Sequence, residues 1–329
     1  MKTSIFDVAK RSGLSVVTVS RVLNGAQTVR EKNRLKVLEA IRELDYRPSA
    51  AARSLARGRT GTIGLIVTTL QDSFFDSVAK EINDLLAAEG YYLAISVSRG
   101  LDHSGQHYMI QEDRLDGLIL LSPVEEEDFV RELRARHIPY VLIDNQQPAH
   151  NEEAVQIDNY RGGYVAGRHL LEQGHQRIAH LCGEELYRST VERRRGFVQA
   201  LQEEGLEPIM IEQGEYSIGF GYATARRWLE ADTLPEAIFA GDDYIALGFI
   251  NALLEAGLSV PRDISVIGYD DQVIAAKLHP LLTTIRQPAD EIARAAVQQM
   301  LRKINEPDQP VPGVCICPEL IIRQSTAVR

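Results

Sequence analysis

The stretch IFDVAKRSGLSVVTVSRVLNG, which begins at Ile5, constrains the fold of this chain more strongly than any other. Ile5, Val8 and Ala9 recur with the spacing i, i+3, i+4, which is typical of one buried helix face. A first helix is therefore predicted to end near Ser12. Gly13 follows, and glycine readily adopts the positive φ that a tight turn between helices commonly needs.

A second helix is predicted over Val16–Leu23, with Ser15 in the position of its N-cap. Val19 and Val22 would face inward, and the other face would stay in contact with solvent. Helix, tight turn and helix together indicate a helix-turn-helix, although a helical hairpin that only packs has the same periodicity. In the first case, the second helix would enter a DNA major groove. It would present Val16, Val17, Thr18, Ser20 and Arg21.

The charge distribution supports a nucleic-acid partner for the first part of the chain only. The 329 residues carry a net charge of −10. Residues 1–60 contain 13 Lys and Arg against 5 Asp and Glu, a net charge of +8, whereas the remainder carries 23 against 41, a net charge of −18. A basic head on an acidic body concentrates the attraction for phosphates in the head.

A third helix is predicted from Glu31 to Leu44. Leu35, Leu38 and Ile41, together with Leu44, recur every three residues, and we expect them to close the core of the head. Arg30 stands just before this helix, where it caps less well than a small polar residue by about 1 kcal/mol. It also adds a cation near the expected phosphates.

From Thr62 onward, apolar β runs alternate with helical periods, which predicts βαβ units and parallel sheets. The number of runs is high for one sheet, and their order suggests two similar halves. The predicted strands are 63–68, 92–97, 117–121, 140–143, 154–157, 178–181, 237–240, 265–268 and 281–285.

Composition and motifs argue against several classes of protein. The sequence has no run of 18 apolar residues and no apolar core of a secretory signal, so we expect a cytoplasmic protein without a membrane partner. The 3 cysteines suggest no disulfide framework, and Cys315 and Cys317 are interpreted as packing residues on one strand face. No phosphate-binding loop, zinc-protease or nucleophile-elbow motif occurs. We therefore expect no enzyme activity, no cofactor and no metal site.

The head resembles a known family. Asp7-Val8-Ala9, Gly13-Leu14-Ser15 and Thr18-Val19-Ser20-Arg21-Val22-Leu23-Asn24 are similar, densely and in register, to the DNA-binding headpiece of the lactose/galactose repressor (LacI/GalR) family. The resemblance favours DNA binding over packing alone and implies double-stranded operator DNA as a partner. The residues of the head that it implies for DNA contact are Ser15, Val16, Val17, Thr18, Ser20, Arg21, Asn24 and Arg30.

Residues 48–60 resemble the hinge helix and linker of the same family, although composition alone would also fit a plain linker. The resemblance implies that this helix folds when two copies meet in the minor groove. Leu55 would act as an apolar wedge at the central base step. Ser49, Ala52 and Arg53 would lie against the DNA, with Ala52 allowing close approach of the paired helices.

The resemblance continues through the body. Its landmarks are Val155-Gln156-Ile157-Asp158-Asn159, Ile267-Gly268-Tyr269-Asp270 and Leu282-Thr283-Thr284-Ile285-Arg286-Gln287-Pro288. It implies a small all-α head on residues 1–47 and an α/β body on 61–329 with the type I periplasmic-binding-protein-like fold of two doubly wound subdomains. The first subdomain would take about 61–158 and 288–317, and the second about 159–287 and 318–329.

Ligands of doubly wound sheets bind at the carboxyl ends of strands, here in the cleft between subdomains. Asp144, Asp158, Asp242 and Asp270 each follow a predicted strand, although each alone would more often be a helix cap or turn residue. By resemblance, Arg193 and Asp270 are effector contacts. The full set expected at the effector is Phe74, Phe75, Asp144, Asp158, Ser189, Arg193, Tyr216, Asp242, Asp270 and Gln287.

Carboxylates, one arginine and aromatic faces suit a neutral polyhydroxylated ligand, so a sugar is the favoured effector. A purine is the alternative, but the family's purine pattern has an arginine where Tyr187 stands and a threonine where Ser189 stands. A protein corepressor is a further alternative. The expected protein is thus an allosteric, homodimeric transcription regulator, most simply a repressor. A solute-binding protein of a transporter would share the body but not the head.

Overall fold

The computed structural model describes residues 3–23, 26, 28–46, 59–70, 73–98, 107–111 and 114–329. These residues fall into two compact units, a helical head and an α/β body, which divide close to Gly61. Five residues expected at the DNA lie outside the described ranges, so their roles stay predictions from the sequence. They are Asn24, Ser49, Ala52, Arg53 and Leu55.

The described part of the head consists of helices α1 (Ile5–Ser12), α2 (Val16–Leu23) and α3 (Glu31–Glu43). Gly13 has a φ of 70° and ends α1, as predicted. The side chain of Ser15 accepts a hydrogen bond of 3.2 Å from the backbone N of Thr18, which confirms its role as the cap of α2.

The predicted core face of α3 is partly wrong. Leu35 and Leu38 are 58% and 50% exposed, whereas Val37 is fully buried and Ala40 nearly so. A strict three-residue repeat drifts around the helix by about 60° per step, because one turn takes about 3.6 residues. The core face instead follows Val37, Ala40, Ile41 and Leu44, which have the spacing i, i+3, i+4, i+7.

The body contains two six-stranded sheets, in agreement with the predicted pair of α/β subdomains. The first has the order β11-β5-β4-β3-β1-β2 and the second β12-β10-β9-β8-β6-β7. All pairings are parallel except that of β10 with β12. The strands are β1 (Thr62–Val67), β2 (Tyr92–Val97), β3 (Gly117–Leu121), β4 (Tyr140–Ile143), β5 (Val155–Ile157), β6 (Ile178–Cys182), β7 (Met210–Gln213), β8 (Ala237–Ala240), β9 (Ser265–Asp270), β10 (Thr283–Arg286), β11 (Val314–Ile316) and β12 (Glu319–Ile321).

Helices cover both sheets, and each sheet has its own core of buried aliphatic side chains. Among the described residues, no helix has the length and apolar character needed to cross a membrane. The helices of the body are α4 (Ser73–Ala88), α5 (Tyr108–Gln111), α6 (Glu126–Ala135), α7 (Asn159–Glu172), α8 (Arg188–Gln202), α9 (Ile218–Glu230), α10 (Asp243–Glu255) and α11 (Ala289–Asn305), with a short 3-10 helix at Pro148–Glu153.

The strand order explains how the chain joins the two sheets. The chain passes from the first sheet to the second after β5, returns after β10 through α11, and passes over again between β11 and β12. Strands β7 and β12 were not predicted, because both are short edge strands of half-buried and exposed residues. Cys315 and Cys317 are both exposed, so the expectation that they pack is wrong.

Candidate functional site

Helix α2 presents a solvent-exposed face in the head. Val17 is 61% exposed, and Ser15 and Arg21 are exposed as well. Val19 and Val22 on the opposite side are buried against α1 and α3. The ion pairs that the structure describes in the head join Arg11 to Glu43 and Arg34 to Glu31, and Arg21 takes part in neither. Arg30 is also exposed, and its side chain does not cap α3.

The body contains a cavity of about 370 Å³ at the carboxyl ends of strands from both sheets. Thr68 follows β1, Ser122 follows β3 and Asp144 follows β4 in the first sheet, and Asp270 ends β9 in the second. Gln287 completes this wall directly after β10. The cavity therefore lies where doubly wound sheets bind ligands.

Three of these strand-end residues have unusual backbone angles. The φ values of Ser122, Asp144 and Asp270 are 47°, 51° and 100°. Residues other than glycine rarely adopt such angles, and the cost is of order 1–3 kcal/mol each. Backbone strain of this kind is common at functional sites, so it makes the rim of the cavity a candidate binding site.

Arg193 is the basic residue of the cavity lining and is held on several sides. Its Nε donates to Oδ1 of Asn159 at 2.9 Å, and its Nη1 donates to the carbonyl oxygen of Gly241 at 2.8 Å. Its Nη2 lies 3.6 Å from Oδ1 of Asp270, and its Cζ lies 3.7 Å from the centroid of the Tyr269 ring. The guanidinium is thus oriented before any ligand arrives.

The position of Arg193 at the cavity depends on the close packing of α8, which carries it, against α7. A Cβ atom on Gly163 of α7 would lie 1.9 Å from the carbonyl oxygen of Arg193 on α8. Only glycine allows this approach of the two helices.

The carboxylates of the cavity are held by hydrogen bonds. Ser122 Oγ donates to Asp144 Oδ2 at 2.8 Å, and Asn159 Nδ2 donates to Asp144 Oδ1 at 3.1 Å. Gln287 Nε2 donates to Asp270 Oδ1 at 2.5 Å. The Oε1 atom of Gln287 is buried without a partner among the described residues, so it is an acceptor that a ligand donor could satisfy.

Burial raises the pKa of Asp144 and of Asp270, while the Arg193 guanidinium opposes the rise at both. Behind them, burial raises the pKa of Asp243 well above its ordinary value, and the charge of Asp270 adds to that rise. Asp243 accepts from the Thr284 hydroxyl at 2.6 Å and from the backbone N of Gln272 at 2.7 Å. It therefore supports the turn that carries Asp270.

Aromatic side chains form the apolar part of the lining. The Phe74 and Phe75 rings lie 6.0 Å apart on the side of the first sheet. The Tyr187 and Tyr216 rings lie 6.3 Å apart on the other side, and Tyr216 shares a hydrogen bond of 2.5 Å with the Thr190 hydroxyl. These rings offer faces for the apolar side of a ligand.

The structure places eight of the ten residues expected at the effector around this one cavity. They are Phe74, Phe75, Asp144, Ser189, Arg193, Tyr216, Asp270 and Gln287.

The other two, Asp158 and Asp242, cap helices instead. Asp158 accepts from the backbone N of Arg161 at 2.9 Å, and Asp242 accepts from the backbone N of Ile245 at 2.7 Å. Neither lines the cavity of about 370 Å³, but Asp158 lines a smaller pocket of about 120 Å³ that also includes Asp144 and Ser189.

Sequence reasoning missed several lining residues. Thr68 and Ser122 follow strands and could have been found by applying the strand-end rule to hydroxyl residues as well as to aspartates. Glu184, Glu215 and Tyr244 lie in loops or at helix starts, with no signal in the sequence that separates them from solvent-facing residues. The other lining residues not expected at the effector are Thr69, Tyr187 and Ser217. Among the described residues, no group of three or more His, Cys, Asp or Glu is arranged to hold a metal ion.

Comparison with known proteins gives the following matches. The model described as bacterial regulatory proteins, lacI family, matches residues 4–49, and the model described as periplasmic binding protein-like domain matches residues 168–326. The HTH-type transcriptional repressor PurR of Edwardsiella ictaluri is 36% identical over 98% of this chain and 97% of its own.

Two solved structures are similar over most of the chain. The lac repressor dimer bound to operator and the anti-inducer ONPF has a TM-score of 0.90 at 28% identity, covering 99% of this chain and 100% of the other. The transcriptional regulator CelR–cellobiose complex has a TM-score of 0.74 at 28% identity, covering 98% of this chain and 100% of the other.

Proposed function

The chain belongs to the LacI family of bacterial regulatory proteins, and on that premise we propose that it represses transcription in response to a sugar bound in the cavity of the body. The relatives and structural neighbours reported above are named as transcriptional repressors or regulators, so the chain is a DNA-binding regulator and not an enzyme. The observation that carries the effector proposal is the combination of buried carboxylates, one pre-oriented arginine and aromatic faces around one cavity.

A sugar suits this lining because its hydroxyl groups both donate and accept hydrogen bonds. Asp144, Asp270 and the free Oε1 of Gln287 accept, while the remaining guanidinium hydrogens of Arg193 donate. The phenylalanine and tyrosine rings would cover the C–H face of a pyranose. The resemblance to a regulator solved with cellobiose supports the same class of ligand.

A purine is the second candidate, and the PurR name of the 36% identical relative favours it. Against it stands Tyr187, at the position where the family's purine pattern has an arginine. Tyr187 is buried, and its hydroxyl donates to the Thr68 hydroxyl at 3.5 Å. A tyrosine at this position brings no positive charge to the cavity, whereas an arginine would.

For the DNA half of the function, we propose a homodimer on a pseudo-palindromic operator, acting in the cytoplasm. The exposed face of α2 supports major-groove binding, with Arg21 reading a guanine edge and Val16 and Val17 contacting thymine methyls or sugars. The lac repressor neighbour is a dimer bound to operator, which supports the same assembly here.

The test is a thermal-shift screen of the full chain against mono- and disaccharides, nucleobases and sugar phosphates, followed by operator binding with and without each ligand found. The operator is obtained by selection from random duplex DNA. We expect one sugar to raise the melting temperature saturably and to change operator affinity, and Arg193→Met to abolish the shift. A saturable shift with a nucleobase alone would favour the purine candidate. No shift with any small molecule would reject a small-molecule effector in favour of a protein corepressor.

A further inference from the structure

Helix α8, which carries Ser189 and Arg193, begins without a cap of its own. Its N-cap residue, Tyr187, forms no side-chain cap hydrogen bond. The first amide groups of a helix have no partner inside the helix, and the first of them here is the backbone N–H of Arg188. A helix end of this kind needs an acceptor from elsewhere.

That acceptor comes from the first subdomain. Oε1 of Gln146, in the loop after β4, accepts from the backbone N of Arg188 at 2.7 Å. In the same direction, Nη1 of Arg188 donates to Oδ1 of Asn151 at 2.8 Å. The loop of the first subdomain thus holds both the backbone and the side chain of the first residue of α8.

The loop itself is anchored on a buried carboxylate. Glu126 of α6 is 1% exposed; its Oε2 accepts from the backbone N of Gln146 and its Oε1 pairs with Nδ1 of His150, both at 2.5 Å. Nε2 of Gln146 also donates to the carbonyl oxygen of Asp144 at 2.8 Å, which ties the capping side chain to a lining residue. Gln146 is therefore held in place from its own side of the cleft.

We propose that Gln146 is the helix cap of α8, supplied across the cleft, and that with Arg188 it couples closure of the two subdomains to ordering of the first turn of α8. This turn carries Ser189 between Tyr187 and Arg193 on the wall of the cavity. A body in which the subdomains separate loses the cap, and the turn that contacts the ligand loses its order. Gln146 and Arg188 are thus positioning residues that raise the population of the binding-competent state.

The coupling to ligand binding rests on the proposed function, but the cap can be tested without any ligand. In the full chain, hydrogen exchange is followed by mass spectrometry on peptides that include the Arg188 amide. Gln146→Leu removes the acceptor at similar size, and we expect the Arg188 amide to exchange about tenfold faster, in line with the loss of one cap.

Two variants separate capping from general damage. Gln146→Glu keeps an acceptor oxygen for the Arg188 amide but loses the donor to the Asp144 carbonyl, so it should restore slow exchange in part. Gln147→Leu is the matched control, because the Gln147 side chain forms no hydrogen bond with a described residue, and its exchange should equal that of the wild type. Equal exchange in the wild type and Gln146→Leu, or equally fast exchange in Gln146→Leu and Gln146→Glu, would overturn the cap.

The second arm measures affinity for the sugar with the largest shift in the screen. Arg188→Met should weaken binding about tenfold, because fewer molecules populate the closed state. Arg188→Lys keeps one donor for Asn151 and should therefore recover most of the lost affinity for the sugar. Arg194→Met is the control, since Arg194 of the same helix pairs with Glu185 within its own subdomain.

Unchanged affinity in Arg188→Met would overturn the coupling while leaving the proposed function standing. If the wild type binds no sugar, the proposal of a sugar effector is rejected. The hydrogen-exchange experiment would still show whether Gln146 caps α8.

Discussion

Nε of Arg193 donates a hydrogen bond of 2.9 Å to Oδ1 of Asn159, and both side chains are more than nine-tenths buried. Asn159 is the first residue of α7, where the chain enters the second subdomain, and its Nδ2 donates to Asp144 of the first. One amide therefore joins the arginine of one wall of the cavity to the carboxylate of the other.

The first prediction concerns this amide. Asn159→Ala should leave the Arg193 Nε buried without an acceptor, at a cost of about 1–3 kcal/mol, and should weaken binding of the effector about tenfold. Urea unfolding and calorimetric titration measure the two effects. Asn83→Ala, which removes an exposed amide from α4, is the control and should lower neither the stability nor the affinity. An Asn159→Ala protein with wild-type affinity would show that Asn159 does not orient the site.

The second prediction concerns DNA. Arg21→Ala should lower specific operator affinity by about 1–3 kcal/mol per half-site and relax the preference for one base, because a bidentate base contact is lost. Binding to the selected operator and to its single-base variants is measured by fluorescence anisotropy at constant salt. Lys80→Ala, on the body, is the control. Unchanged base preference in Arg21→Ala would contradict the reading role.

The third prediction concerns the packing of α7 on α8. Gly163→Ala places a Cβ 1.9 Å from the Arg193 carbonyl oxygen, so the helices must move apart. We expect a loss of about 1–3 kcal/mol in the free energy of unfolding and weaker effector binding. Gly219→Ala on α9 is the control, because its Cβ would lie no closer than 3.9 Å to its neighbours. It should be neutral or stabilising.

The fourth prediction concerns pH. Burial raises the pKa of Asp243 well above its ordinary value of 3.8, with Asp270 and Asp242 adding to the rise and hydrogen bonds from Thr284 and Gln272 opposing it. The folded state therefore binds a proton that the unfolded state releases. The corresponding stability is present below pH 3.8 and is lost as the pH rises toward the folded-state pKa.

Asp243→Asn removes this proton linkage and keeps one acceptor for Thr284 or Gln272. The variant should therefore gain in unfolding free energy relative to the wild type as the pH rises from 4 to 8. Urea unfolding of both proteins across that range checks the slope. A difference that does not depend on pH would contradict the assignment of the linkage to Asp243.

A feature of this protein can be predicted from the sequence alone when the residues that form it are close together in the chain. The helices α1 and α2, the turn at Gly13 and most strands of the body depend on contacts between near neighbours, which leave a period in the sequence. The resemblance of the head motifs to one family, together with the basic charge of the first 60 residues, was enough to assign DNA binding. The strand-end rule predicted that Asp144 and Asp270 would lie together, and both line the cavity of the body.

The tertiary structure alone decided the rest, because it brings together groups that are far apart in the chain. It showed that Asp158 and Asp242 cap helices outside the lining of the cavity of about 370 Å³, and it buried Val37 where a simple repeat favoured Leu35 and Leu38. The hydrogen bond of Gln146 to the start of α8 joins two subdomains across 42 residues of sequence and leaves no local pattern. Periodicity reports which face of an element is buried, whereas only packing determines which distant group meets it.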